Sequence, residues 1–484
     1  MIDYSTIKQL ATDNGIRVTD LLALAPANDP FYTGRPAEIA AAEWFTELWQ
    51  RFGYGRGVHL RRVHYQIVSQ NPPVMMTNGK PYENTEACWD YLNNAAKWAR
   101  YLDMVPASLF VDRRNPEAII NRRFHGLDDF NYTDPTPRYH VENYSGDFLE
   151  LYRVPTIPEL PQLPDGLPET PFYAVAGYDG IQQPYLVEVW AEKTTMNDVL
   201  IPLCERYGVN LVTGAGELSI TAVIQFLQRV QESGLPARIL YVSDFDPAGL
   251  GMPISVARKI EYYQRRNEFE VREIALQPVV LTPEQIDAYE LPRVPVKSSD
   301  LRKGNFEAAY GVGQVELDAL EALHPGELLR IVEDALQAYY DPTLYERAVA
   351  ARRQLARALN RIHYTVQDNL SREIAALEDT YTEIRDDFAA TRDEFDSLVA
   401  DFQEQLNAYD RRMADLRAAG IELYARLEGE LETAATLNLD IEDYPLPEAD
   451  LLPEPEQLYH SARGYMEQLR HYQALRNNTQ EVNL

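Results

Sequence analysis

Cysteine is nearly missing from this chain: Cys88 and Cys204 are the only two in 484 residues. Two thiols cannot make a disulfide framework or a Cys-rich zinc site, so a reducing, cytoplasmic setting is expected. No run of 18 or more apolar residues occurs, which predicts no membrane span. The opening stretch MIDYSTIKQLATDNG has neither a basic n-region nor an apolar h-region, so no secretion signal is expected. A P-loop is also lacking. TGAG ahead of ELSIT is too short and too far from a Walker pattern for nucleotide binding.

Basic charge is scarce as well. The formal net charge is −30, which argues against nucleic-acid binding by the whole surface, because phosphate affinity comes from Lys and Arg. The shortage is uneven. Residues 346–484 contain no lysine and carry 15 Arg against 28 acidic residues, whereas residues 51–125 carry 11 Lys plus Arg against 6 acidic residues. A basic segment in an acidic chain fits a local DNA-binding face, or simply a solvated surface.

A hydrophobic content of 45% is ordinary for a globular protein, and the length predicts two or three domains. Residues 1–150 read as helical, with PAEIAAAEWFTELWQRFG and EACWDYLNNAAKWARYLDMVP as amphipathic helices. A shorter helix and turn chemistry lie between them, a pattern that suits a winged-helix DNA-binding module. Prolines 155, 158, 161, 164, 168 and 171 mark 151–183 as an extended linker. Residues 184–343 then alternate strand and helix. YLVEVWA, VNLVTG, ARILYVSDF and REIALQPVVL are the strands, with Thr194 or Thr195 as the first helix's N-cap and Gly208 as its stop. Short apolar strands alternating with helices predict a parallel sheet covered on both faces. The fold class is therefore multidomain, α/β plus α.

Residues 344–435 read as one long coiled-coil helix. Its seam runs from Leu355 to Leu427 with a mean step of 3.6 residues, weakest at Thr391 and Gly420. That period predicts a nearly straight rod of about 130 Å unless Gly420 bends it, serving as a dimerisation or docking arm or lying along its own domain. Residues 436–484 read as an acidic connector and a terminal helix.

The chemistry concentrates in YVSDFDPAG. In a parallel α/β sheet, ligands gather beyond the carboxyl ends of the strands. One strand delivers Glu192 and Lys193 to that edge, and another delivers Asp244 and Asp246, which as residues i and i+2 share a face. Three carboxylates there repel unless a cation sits among them, and hard oxygen ligands suit Mg²⁺ or Mn²⁺. The alternative is that Asp-x-Asp-Pro-x-Gly is only a turn with an N-cap aspartate.

VEVWAEKTTMNDVL, TGAGELSITAV and YVSDFDPAGLGM together resemble the Toprim domain of topoisomerase VI A subunits and the meiotic double-strand-break transesterase, and YGVGQVELDALEAL resembles that family's Toprim tail. The resemblance implies Mg²⁺ held by Glu192, Asp244 and Asp246, with Glu192 also catalytic. It further implies a winged helix with a nucleophilic tyrosine after an arginine. HLRRVHYQIVS is similar, placing Arg61 at the arginine and Tyr65 at the tyrosine. Arg62 stands where an acidic residue is common, and His64 replaces an aromatic. A phenol with a pKa near 10 needs help from a base or cations. On a helix Arg61 and Arg62 share a face with Tyr65. Arg113, Arg114, Arg122, Arg123 and Lys193 are further candidate phosphate contacts.

The implied activity is Mg²⁺-dependent cleavage of duplex DNA, by Tyr65 transesterification or by direct hydrolysis. The implied partners are a second copy in a homodimer and a separate ATPase or SMC-like protein. The competing class is a non-catalytic DNA-binding scaffold with a structural Toprim fold and a coiled-coil assembly arm.

Overall fold

In the computed structural model of the protein, the described residues are 3–481 except 113–114, 122–137, 142–162, 164–165, 167–171, 176–181, 215, 267–268, 270–271, 396–401, 439 and 444–447. They form a mixed α/β protein, mostly helical, with fifteen α-helices among them. No helix among them is long and apolar enough to cross a membrane. The six linker prolines, and Arg113, Arg114, Arg122 and Arg123, lie outside the described residues.

The chain divides into two units, one of residues 1–123, 183–342 and 449–484, the other of 124–182 and 343–448. The first unit opens with helix α1 (Tyr4–Asn14), followed by α2 (Pro36–Arg51), α3 (Leu60–Val68) and α4 (Glu86–Tyr101). Each helix begins where chemistry allows. Pro36 starts α2, the His59 ring accepts the Arg61 N–H at the head of α3, and the Thr85 hydroxyl accepts the Cys88 N–H at the head of α4. Between α3 and α4 a tight hairpin pairs Met76 N–H with Lys80 O at 2.8 Å and Tyr82 N–H with Val74 O at 2.8 Å. Gly79 turns it at φ 75°, a conformation costly for other residues. Phe45, Trp49, Val63, Ile67, Leu92 and Phe110 close one core around these elements.

In the second unit, β1 (Arg138–Val141) and β2 (Phe172–Val175) form an antiparallel pair. Back in the first unit come β3 (Leu186–Ala191), α5 (Asn197–Tyr207), β4 (Asn210–Thr213), α6 (Ile220–Ser233), β5 (Ala237–Val242), α7 (Gly251–Arg265) and β6 (Ile274–Val280). Gly208 ends α5 in the left-handed region as expected, but Thr194 and Thr195 lie in a 3₁₀ turn and do not cap it. Every residue of β3, β4 and β5 is buried, since apolar clusters cover both faces of the sheet. Glu188 on β3 is tolerated there because Arg229 donates to it at 2.7 and 2.8 Å.

Helices α8 (Pro283–Ala288), α9 (Lys303–Tyr310), α10 (Leu317–Leu323) and α11 (Glu327–Leu336) follow. The sheet order is β4-β3-β5-β6-β7, parallel over its first four strands. The expected all-parallel sheet is corrected at one edge. β7 (Tyr459–His460), read from the sequence as part of a terminal helix, joins β6 antiparallel, and α15 begins only at Tyr465.

The single rod is also corrected. Residues 344–438 form three helices, α12 (Leu344–Asn369), α13 (Ser371–Phe395) and α14 (Phe402–Asn438), and the chain folds back on itself. Leu355, Leu359 and Val366 pack against Leu427 and Leu431, while Tyr381 and Ile384 pack against Met413 and Leu416. Arg412 pairs with Asp387 at 2.7 Å, and the Thr391 hydroxyl meets Tyr409 Oη at 2.8 Å. The apolar seam is where the sequence placed it, but its partner is the same chain. Gly420 lies inside α14 without ending it.

Candidate functional site

β3 and β5 are parallel neighbours with Ala191 beside Val242, so both chains emerge from the sheet at the same rim. Glu192 follows immediately, its N–H donating to Val242 O at 3.0 Å. Its Oε2 accepts the Asp244 N–H at 3.2 Å, which ties the two strand ends together. Phe245 then pairs antiparallel with Val315 through two 2.9 Å hydrogen bonds and buries its ring. That extended pairing holds Asp244 and Asp246 on either side of a buried aromatic.

The next turn is compressed. A Cβ on Gly249 would come within 2.1 Å of Asp244 O and 3.3 Å of Glu192 Oε2, so only glycine fits. Asp246 Oδ1 accepts from the N–H groups of Ala248 at 2.8 Å and Gly249 at 2.6 Å. The turn reading is therefore correct for one oxygen of Asp246. Its negative charge nonetheless acts on Glu192. The N-cap position of α7 belongs to Leu250.

Asp244 is 3% exposed and held at both oxygens. Oδ1 accepts the Leu317 N–H at 2.9 Å, and Oδ2 meets Lys193 Nζ at 2.5 Å. Lys193 Nζ also lies 3.6 Å from Glu316 and 3.9 Å from Asp318. This ammonium, read from the sequence as a candidate phosphate contact, is paired with the acidic cluster in the structure. Glu316 and Asp318 escaped the sequence reading, although they repeat the acid-x-acid spacing of Asp244 and Asp246 inside the quoted YGVGQVELDALEAL stretch.

Burial, followed by the charges of Asp244 and Asp246, pushes the Glu192 carboxyl up to about 7 from its usual 4.5. Burial also raises Asp244, against the opposing pull of Leu317 N–H and Lys193. The donor set is three carboxylates whose charges add to burial in raising Glu192, and hard oxygens of that kind suit a divalent cation. Among the described residues, no group of three or more His, Cys, Asp or Glu is already arranged to hold a metal ion. Lys193 and the turn amides engage the oxygens such an ion would take.

A pH signature follows. Between pH 4.5 and about 7 the folded protein keeps a proton on Glu192 that the unfolded chain releases, so stability falls as pH rises through that window. The loss is at most on the order of 3 kcal/mol, at roughly 1.4 kcal/mol per tenfold gain in proton affinity on folding, and solvent screening of this partly open carboxyl reduces it. Melting temperature in chelator should decline from pH 5 to 7, and Glu192→Gln should flatten that decline. An unchanged slope in the variant would assign the effect to other groups.

Beside the rim opens a cleft of about 1200 Å³, reached by Ser243, Pro247, Gly249, Glu217, Arg302 and Asn305. Arg302 is braced by Asp300 at 2.8 Å.

Tyr65 lies on α3 and is 61% exposed, so it is not packed in the core. Arg61 and Arg62, one turn earlier, are exposed as well, as are Arg51, Arg56 and Lys80. His64 is buried, its ring bonded to Tyr82 Oη at 2.7 Å and Asn84 Oδ1 at 3.1 Å, which removes it as a helper for Tyr65. Among the described residues, no hydrogen bond or ion pair joins Tyr65, Arg61 or Arg62 to Glu192, Asp244 or Asp246. Comparison with protein-family models and with curated proteins returned no match to this chain, so its function is read from the site alone.

Proposed function

We propose that the chain is a Toprim-type, divalent-metal-dependent enzyme that cleaves the backbone of duplex DNA. The observation that carries this reading is the meeting of Glu192 and Asp244 at adjacent parallel strand ends, with Asp246 two residues on and Glu192 driven to about 7. Glu192, Asp244 and Asp246 are the residues that would hold Mg²⁺ or Mn²⁺. Such an ion, when bound, stabilises negative charge on a phosphodiester in transit.

The α2–α3–hairpin–α4 module is the proposed winged-helix-like DNA-binding element, with exposed Arg51, Arg56, Arg61, Arg62 and Lys80 as its phosphate contacts. Exposure of Tyr65 beside Arg61 and Arg62 supports the transesterase route. The phenol oxygen attacks phosphorus, the bond to the leaving deoxyribose oxygen breaks, and the phenol's proton passes to a base. In the hydrolytic route water takes the phenol's place. Supercoiled plasmid incubated with Mg²⁺ or Mn²⁺ and quenched in denaturant separates them. Transesterification is expected to leave a covalent protein–DNA adduct that Tyr65→Phe abolishes, whereas nicking without an adduct assigns hydrolysis.

One observation favours the second reading, a non-catalytic scaffold: Asp244 is satisfied by Lys193 and Leu317 without any added ion. Absence of nicking with either metal, together with retained DNA binding, would select it.

A further inference from the structure

We propose that Lys193 is a tethered counter-cation that a divalent ion must displace from Asp244, with Glu316 and Asp318 as the berth that receives it. This rests on the metal reading of Glu192, Asp244 and Asp246 and adds a control on that same site. Asp244 Oδ1 already accepts the Leu317 N–H, which leaves Oδ2 as the oxygen that Lys193 and an incoming ion compete for. Oδ2 is the oxygen that Lys193 Nζ occupies at 2.5 Å. An ammonium and a divalent ion on that oxygen repel each other, so the ion binds more weakly while the lysine stays.

The second berth is already within reach. Glu316 Oε2 stands 3.6 Å and Asp318 Oδ2 3.9 Å from the same Nζ, and both carboxylates are about half exposed. Lys193 itself keeps 28% of its side chain accessible, so a small swing of a flexible four-carbon stem is enough. Leu317, whose N–H holds Asp244, sits between the two berth residues. The cluster thus stays partly neutralised before the metal arrives, and ion binding exchanges one positive partner for another.

The experiment is a titration of the full chain with Mn²⁺, read as free Mn²⁺ by electron paramagnetic resonance. Lys193→Met is expected to bind Mn²⁺ on the order of tenfold more tightly than the parent, while Lys193→Arg stays close to it. Glu316→Gln with Asp318→Asn should weaken binding in the parent but much less in the Lys193→Met background, because no lysine then needs the berth. Equal or weaker binding by Lys193→Met, with a melting temperature near the parent's, overturns the inference while leaving the metal reading intact. Fully additive effects of the berth substitutions overturn the berth. If the parent binds no Mn²⁺, or Asp244→Asn binds it as well as the parent does, the metal reading fails and the lysine exchange fails with it.

Discussion

Replacing both Asp244 and Asp246 by alanine is expected to reduce Mg²⁺-dependent plasmid nicking by at least about a thousandfold, the scale of removing a metal that stabilises transition-state charge. Asp244 also has a structural task, because its Oδ1 anchors Leu317 and its Oδ2 anchors Lys193. Loss of fold must therefore be separated from loss of chemistry. Asp244→Asn keeps an acceptor for the Leu317 N–H while deleting the charge, and should be as inactive as the alanine double variant with a near-normal melting temperature. Asp246→Asn keeps an acceptor for the turn amides in the same way. Retained metal-dependent nicking in a folded Asp244→Asn, Asp246→Asn protein would sink the assignment of these carboxylates.

Replacing Arg258 by methionine should be the most destabilising single change, costing about 3–5 kcal/mol. Its guanidinium is wholly buried and bonded to Asp29 at 3.1 Å, Glu261 at 2.8 Å and Tyr465 Oη at 2.7 Å. Asp29 in turn accepts from the N–H groups of Ala23, Leu24 and Phe31, and Tyr465 Oη donates to Leu21 O at 2.7 Å. Removing the cation leaves buried Asp29 with backbone donors alone and Glu261 with Arg265, at 2.8 Å, as its remaining cationic partner, whereas neutralising all three together costs far less. Arg258→Met should shift the urea midpoint strongly downward, and Asp29→Asn with Glu261→Gln added should recover much of the shift. An Arg258→Met protein as stable as its parent would mean that this network is only a bystander.

Much of the α/β body is legible in the sequence because local signals agree there. Val187, Val189, Leu240 and Val242 form apolar runs bounded by stops such as Gly208 and Gly234, both in the left-handed region. The rim carrying Glu192 and Asp244 follows from the parallel pairing. Other features depend on distant partners. Tyr459 and His460 are a strand only because β6 offers an open edge. The packing of α12 and α13 against α14 is likewise set by distant residues, Leu355 against Leu427 and Tyr381 against Met413. A periodic seam says that a helix needs a partner and does not say which. The ion pairs of Lys193 likewise depend on residues far along the chain, Asp244, Glu316 and Asp318, which its own neighbours in sequence do not announce.

The order of synthesis gives the Asp29–Arg258–Tyr465 junction one more meaning. Tyr465 meets Leu21 across 444 positions of chain, and β7 completes the sheet from residues 459 and 460. A ribosome therefore exposes the first and middle thirds of this body well before the segment that seals them is made. Asp29 and Arg258 must wait for Tyr465 while the whole α12–α14 hairpin is translated, so maturation of the unit that carries the acidic rim is a late, post-hairpin event.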